Sequence, residues 1–273
     1  MTGRWQAELE FAVELARRAG EILRASYERV ERIDRKSKRD VVTEVDYASE
    51  RLVLEAIRTR FPGDAILAEE SGHHERYGPA QGDRTWVIDP LDGTVNYANG
   101  IPYFCVSVAM VDGGAPVVGA VYDPLRDDLY AAAGDGVARL NGTEIHVSDK
   151  EDVGDFVMSL ALIGRGGIGR ERKVGRQIRI PRRMGSAALS LAYVANGRFD
   201  AFVQNGGLSL WDVAAAGLIA ERAGATVSDL HGGPWWDASR RSGTVSIVAA
   251  PPPHHGTLLD LLASIGTAVR TRR

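Results

Sequence analysis

Residues 86–96 read WVIDPLDGTVN. The apolar run Trp86-Val87-Ile88 ends on Asp89, a proline follows, and a second carboxylate, Asp92, stands three positions on, ahead of Gly93 and the hydroxyl of Thr94. Val87 and Ile88 have the character of a buried strand's end, Pro90 restricts the backbone just after Asp89, and Gly93 opens a turn closed to other residues. Carboxylates brought together in this way repel and raise each other's pKa, and a cation between them keeps both ionised at neutral pH. A divalent-metal site is one reading of the stretch; a strand ending in an aspartate-rich turn is the other.

Working outward, 273 residues suffice for one large domain or two subdomains, which we place at 1–150 and 151–273. With 44% hydrophobic and 25% charged residues and a net charge of −3, nothing global points to nucleic acid or an anionic membrane. Cys105, the only cysteine, lies in the apolar run 103–111, which excludes an intrachain disulfide and predicts a core position in a reducing compartment. Residues 1–10 are too polar for a signal sequence, and no apolar stretch approaches the ~18 residues of a membrane span, so a cytoplasmic location with no membrane partner is expected.

Apolar residues recur at helical spacing over 4–28, and a second helix is expected over 44–60, stopped by Phe61-Pro62-Gly63. A short strand, 65–68, then delivers Glu69 and Glu70. Strand-like segments at 84–89, 104–111, 116–122 and 128–133, parted by Asp112-Gly113-Gly114 and Asp123-Pro124, predict antiparallel hairpins. The second half alternates: helix 186–196, strand 200–204, helix 210–223, strand 245–249, and a last helix over 256–269 after three prolines.

Three further acidic positions accompany the opening stretch. Asp212 starts the small-residue helix 210–223, where amides carry partial positive charge; an N-cap is its simplest role, an oxyanion site the alternative. Asp46 follows Thr43, which is placed to cap helix 44–60, and capping is the stronger reading of that segment. Glu69-Glu70 reads alone as a solvated edge. Oxygen ligands without clustered Cys or His favour Mg²⁺ or Mn²⁺ over zinc, and the pairs His73-His74 and His254-His255 are expected at the surface.

The order of these motifs resembles the inositol monophosphatase family, within the lithium-sensitive, magnesium-dependent phosphatases. The match runs through residues 40–46, 68–72 (AEESG), 86–96, 185–188 (GSAA), 211–217 (WDVAAAG) and 232–234 (GGP), nearly the whole chain. It implies an α/β fold arranged as an αβαβα layered sandwich, commonly a homodimer, that hydrolyses a small-molecule phosphate ester with two or three Mg²⁺ ions. Glu69, Asp89 and the Leu91 carbonyl resemble the ligands of the first ion, and Asp89, Asp92 and Asp212 those of the second. Glu69 is also similar to the residue that reaches a third ion through water. Thr94, oriented by Asp46, resembles the pair that positions the attacking water, with the Gly93 and Thr94 amides, Gly185 and Ser186 at the phosphate. Direct attack by water is expected, since neutralised phosphoryl oxygens and a deprotonated water are what ester hydrolysis needs.

The extension Thr94-Val95-Asn96-Tyr97 and then Gly100-Ile101-Pro102 looks more like inositol monophosphatases than nucleotide bisphosphatases, so myo-inositol monophosphate is the expected substrate. Two departures bear on this. Where the family carries an acid that binds inositol hydroxyls, this chain has Gln204, which accepts a hydrogen bond without the charge. Segment 164–185 is shorter than usual and holds seven arginines and one lysine. A solvated, mobile basic loop is its simplest reading; a clamp for a second phosphate by Arg182 and Arg183, favouring fructose 1,6-bisphosphate, is the alternative. Histidinol phosphate and 3′-phosphoadenosine 5′-phosphate stay open as substrates. A regulatory protein contacting RNA through residues 165–183 is the rival from another class. Residues 164–169 formally satisfy G-x-G-x-x-G, but no apolar helical stripe follows and no acid stands ~20 positions on, and a flexible glycine-rich loop is expected there.

Overall fold

The computed structural model describes residues 3–30, 32–35, 41–74, 83–164, 166–240 and 242–267. Helices α1 (Gln6–Ser26) and α2 (Glu44–Arg60) flank a ribbon of β1 (Ile33–Arg35) and β2 (Val41–Thr43). Next come β3 (Ala65–Ala68), β4 (Gly72–His74), β5 (Thr85–Asp92), the short α3 (Thr94–Ala98), β6 (Cys105–Asp112), β7 (Ala115–Asp123), β8 (Asp128–Ala133), β9 (Arg139–Leu140) and β10 (Thr143–Glu144). The second half contains β11 (Val157–Ala161), α4 (Gly167–Val174), β12 (Ile180–Arg182), α5 (Ala187–Ala195), β13 (Ala201–Leu208), α6 (Leu210–Arg222), β14 (Thr226–Ser228), β15 (Val245–Ala250) and α7 (Pro252–Thr267).

Two sheets result. The first runs β10-β9-β8-β7-β6-β5-β3-β4, and its meander from β5 to β8 is antiparallel, as the turn signals predict, while β3 lies parallel to β5. The second runs β12-β11-β13-β15-β14. Strand alternation sends successive side chains to opposite faces. Trp86, Ile88, Val106 and Val108 therefore pack on α1 and α2, whereas Val87, Cys105 and Ala109 face α5 and α6. Phe202 and Ile247 of the second sheet close over those same two helices, and Met158, Leu160 and Val248 turn outward to α4 and α7. The layers are thus helix, sheet, helix, sheet, helix, the αβαβα order that the family resemblance implies.

The middle layer explains its own composition. Every residue of α5 is buried, so no polar face is needed. Helix α6 presses its small residues against the first sheet so closely that a Cβ on Gly119 would stand 2.7 Å from the Ala215 carbonyl oxygen. Cys105 is fully buried in this layer, as expected. Among the described residues no helix is long and apolar enough to cross a membrane.

Four expectations need correction. The last helix begins at Pro252, not at 256, because proline lacks only a donor that the first turn of a helix leaves unpaired anyway; its expected end at 269 lies outside the described residues. Strand β13 continues past Gln204 to Leu208, through a register shift between those two residues. Segment 164–185 is not a loop. It forms α4 and β12, with β12 parallel to β11, because Val174 and Ile178 find a core against the outer face of the second sheet. His255 is buried, its Nε2 2.9 Å from Ser228 Oγ, while the side chains of His73 and His74 lie outside the description.

Candidate metal centre and active site

In a regular strand, residues three apart point to opposite faces. Asp89 pairs with Ser107 and Asp92 with Cys105, so three steps on β5 match two on β6: one extra residue is inserted, and both aspartates reach the same face. Pro90, which has no N–H to give to a ladder, sits in that insertion. Gly93 then turns the chain into α3 at φ 98°, where a Cβ would also stand 3.0 Å from the Tyr103 carbonyl oxygen. From the middle layer, α6 brings Asp212. One carboxylate oxygen from each of Asp89, Asp92 and Asp212 falls within 4.8 Å of the others.

Without a counter-charge this cluster is strained electrostatically. Two like charges ~4 Å apart cost roughly 4 kcal/mol at an effective dielectric near 20. Burial first, then repulsion from Glu69, Asp92 and Asp212, pushes Asp89 well above the usual carboxylate range. Burial pushes Asp92 up to about 6 against the pull of its donors, and burial with repulsion from Asp92 raises Asp212. Glu69 stands beside Asp89 at the end of β3 and lines the same cleft. The donor set is all oxygen, anionic and desolvated, which fits a hard divalent cation. Cys105 does not belong to it, since burial holds its thiol far above neutrality and its Sγ lies 3.9 Å from Asp92 Oδ2.

The other acids serve two masters, one with each oxygen. Asp46 Oδ2 accepts the Thr43 amide at 2.8 Å and the Thr43 hydroxyl at 2.5 Å, completing a capping box on α2, while its Oδ1 accepts the Thr94 hydroxyl at 3.0 Å. Asp212 likewise sits at the third position of α6, its Oδ2 accepting the Ser209 amide at 2.6 Å. The N-cap expected at Asp212 is therefore Ser209, and capping and function are not rival readings at either acid. Thr94 Oγ1 also lies 3.0 Å from the Leu91 carbonyl oxygen. Burial lifts Asp46 to about 6, the hydrogen bonds from Thr43 and Thr94 opposing it.

An open cleft of about 1350 Å³ holds these groups. Leu91, Gly93, Thr94, Gly185, Ser186, Gln204 and Arg183 all line it, as expected of site residues, and Asp46 stands behind Thr94. Arg182 does not line it; on the edge strand β12 its side chain is exposed and reaches the Pro181 carbonyl. Arg183 is already paired with Glu171 at 2.8 Å, so the two-arginine clamp is not assembled. Ser186, expected at the phosphate, lines the cleft, caps α5 and gives its hydroxyl to Asp92 at 2.6 Å, beside the Ala188 amide at 2.7 Å. Asp40 and Arg165 lie outside the described residues.

Sequence reasoning missed the scaffold behind the ligands. Glu50, one turn after Asp46 on α2, accepts the Glu70 amide at 2.9 Å and the Ser71 hydroxyl, pinning the turn that carries Glu69. Ser49 donates to the Pro90 carbonyl at 3.0 Å, and Asn96 ties the Tyr103 and Met184 carbonyls together at 2.7 Å each. The i, i+3, i+4 spacing of Asp46, Ser49 and Glu50 was the available signal: three polar residues on one face of an otherwise ordinary helix.

Comparison with known proteins agrees with this geometry. The inositol monophosphatase family model matches residues 5–267, and the chain belongs to that family of metal-dependent phosphatases. The Nus factor SuhB of Pasteurella multocida is 38% identical over 237 residues, covering 82% of this chain and 86% of that protein. A fructose-1,6-bisphosphatase/inositol-1-monophosphatase of Thermotoga maritima is 40% identical over 230 residues, 82% of this chain and 85% of its own. Among solved structures, an IMPase of Thermotoga maritima superposes with a TM-score of 0.85 at 30% identity, covering 96% of this chain and 99% of that one.

Proposed function

We propose that the protein hydrolyses small-molecule phosphate monoesters with Mg²⁺, inositol 1-phosphate among them, by direct attack of water. The observation that carries this is the meeting of Asp89, Asp92 and Asp212 in one cleft with the Thr94–Asp46 pair. Glu69, Asp89, the Leu91 carbonyl, Asp92 and Asp212 would hold the ions. When bound, these supply charge neutralisation at the phosphoryl oxygens and acidify the attacking water. The chain's own part is orientation and proton handling. Thr94 has one proton to donate and two acceptors, Asp46 and the Leu91 carbonyl; donating to either leaves its lone pairs free to receive a hydrogen bond from water. Asp46, with its pKa near 6, is suited to take the proton that Thr94 relays. The Gly93 and Thr94 amides cradle the phosphate, and Gln204 offers a hydroxyl one neutral hydrogen bond.

Phosphate release from inositol 1-phosphate with saturating Mg²⁺ tests the reading. Asp92→Asn is expected to lose about 10³-fold in kcat/KM, the scale of several kcal/mol of charge stabilisation. Equal release by wild type and variant would place the chemistry elsewhere.

A second reading has its own support. A relative 38% identical is named a Nus factor, and the exposed Arg172, Lys173 and Arg176 sit together on and just after α4. Salt-sensitive RNA binding that disappears when these three become glutamine would support a regulatory role beside catalysis; no binding at low salt would remove it.

A further inference from the structure

Of the seven large apolar side chains exposed among the described residues, four line the catalytic cleft: Tyr47 at 48%, Val95 at 45%, Ile163 at 42% and Ile168 at 73%. Scattered singly over a surface such side chains are ordinary, but gathered at the mouth of a site they favour a ligand that covers them. These residues come from both sides, Tyr47 and Val95 from α2 and α3, Ile163 and Ile168 from the segment leading into and through α4.

The Ile163 shoulder is fixed in place. Its N–H donates to the Asn205 side chain and its carbonyl accepts Arg170 at 2.9 Å. The neighbouring Leu162 amide is held by Glu171 at 2.6 Å, and the Ile163 side chain covers Gly207, where an added Cβ would stand 2.5 Å from its Cδ1. Two polar groups on this side are engaged as well: Gln204 Nε2 donates to the Gly206 carbonyl at 3.2 Å, and Arg183 is paired with Glu171. Every carboxylate that lines the cleft, Glu69, Glu70, Asp89, Asp92 and Asp212, is on the metal side. An alcohol carrying many hydroxyls therefore meets no charged acceptor beyond that side, whereas an apolar one meets four side chains that gain by being covered.

We propose that the preferred substrates are phosphate monoesters whose alcohol is largely apolar, an arylalkyl or branched alkyl group seated against Ile163, Ile168, Val95 and Tyr47, and that polyol phosphates are poorer substrates of the same site. This rests on the phosphomonoesterase reading above. The experiment compares kcat/KM for phenethyl phosphate, glycerol 2-phosphate and inositol 1-phosphate at saturating Mg²⁺, all three leaving as alkoxides so that no activated phenol biases the result. Phenethyl phosphate is expected to lead by about 10-fold or more, mainly through KM, as a few buried methylenes are worth. In Ile163→Ser and Ile168→Ser, the latter fully solvent-tolerant at its position, the ratio of phenethyl to glycerol phosphate is expected to fall toward one.

Release from the polyol esters with no lead for phenethyl phosphate overturns this inference alone. Equal losses on all three esters in the serine variants overturn it too. So does a variant that only dissociates an oligomer in sedimentation, with the ratio intact, for then a second copy covers the rim. No release from any ester overturns the phosphomonoesterase reading and this inference with it.

Discussion

The two walls of the cleft are built to different standards. On the metal side four acids are each held by a backbone amide, Leu91 N on Asp89, Ala188 N on Asp92, Ser209 N on Asp212 and Thr43 N on Asp46, and all but the half-buried Asp212 are buried. Helices α2 and α6 enter through capping boxes, and the β5 insertion is locked by its register with β6. On the opposite wall, Ile163 is tied by its own backbone to Asn205 and Arg170, Ile168 is exposed on one short helix, and the Arg183–Glu171 pair has its arginine 57% exposed. Under the proposed function the first wall would serve every phosphate ester and stands on buried charge, whereas the second would meet the alcohol and stands on exposed contacts. Specificity can drift on such a scaffold without disturbing the chemistry.

The contrast can be broken or sharpened by substitution. The largest effect is expected on the metal wall: Thr94→Val keeps the volume but removes the hydroxyl that donates to Asp46 and that the proposed mechanism sets beside the water, and kcat should fall about 10²-fold with KM little changed, measured by steady-state phosphate release. A KM effect instead would make Thr94 a binding group. Next, Glu50→Gln leaves one acceptor for the Glu70 amide and the Ser71 hydroxyl but weakens the grip on the Glu69 turn. The Mg²⁺ concentration for half-activation should rise roughly 10-fold, the usual scale for groups that orient ligands, and calorimetric Mg²⁺ binding should weaken in parallel. Loss of stability without a shift in Mg²⁺ binding would reduce Glu50 to a structural role.

A pH series probes the same wall through its charge. Asp46 and Asp92 titrate near 6 in the folded chain, against about 3.9 for an unfolded aspartate. Between about pH 4 and 6 the folded state therefore binds protons that the unfolded state does not, and metal-free stability rises as pH falls through that window. Asp127, Asp229 and Asp237, held low by their donors, oppose this below about 4, and His255, which burial holds below the usual imidazole range, opposes it in part as pH falls through about 6.5. In EDTA, Tm should be several degrees higher at pH 5 than at pH 7.5; with saturating Mg²⁺ the increment from metal should shrink on acidification, because protons compete for the same oxygens. A metal-free Tm that falls between pH 7.5 and 5 would contradict the raised pKa values. The smallest effect belongs to the other wall: Arg183→Gln breaks an exposed ion pair and should change unfolding free energy by less than about 1 kcal/mol in a denaturant titration.

Much of this was legible along the chain. Helix 44–60 and the hairpins from 85 to 133 follow from periodicity and turn residues, and they lie where expected. The acids 46, 69, 89, 92 and 212 were all identifiable, although three of them read individually as caps or a solvated edge. Sequence-local logic treats capping and metal binding as competitors. A carboxylate has two oxygens: Asp46 completes its capping box with one and accepts the Thr94 hydroxyl with the other, and Asp212 completes the box on α6 while standing in the cluster with Asp89 and Asp92. The misreadings cluster where burial comes from a distant partner: α4 forms because Val174 meets the second sheet's outer core, and His255 on α7 is buried with its ring against Ser228 of β14.

The residues alone determined the layered alternation of helix and strand, the oxygen-only donor chemistry and the family, because periodicity, proline and glycine placement and side-chain type act over a few positions. Only the tertiary structure decided that Arg182 stays outside the cleft, that Ser186 serves Asp92, and that four apolar side chains gather at its mouth. Those outcomes depend on which faces pack together across 50 to 150 residues of chain, and a side chain's address in space is set by the sheet register and layer beneath it rather than by its neighbours in sequence.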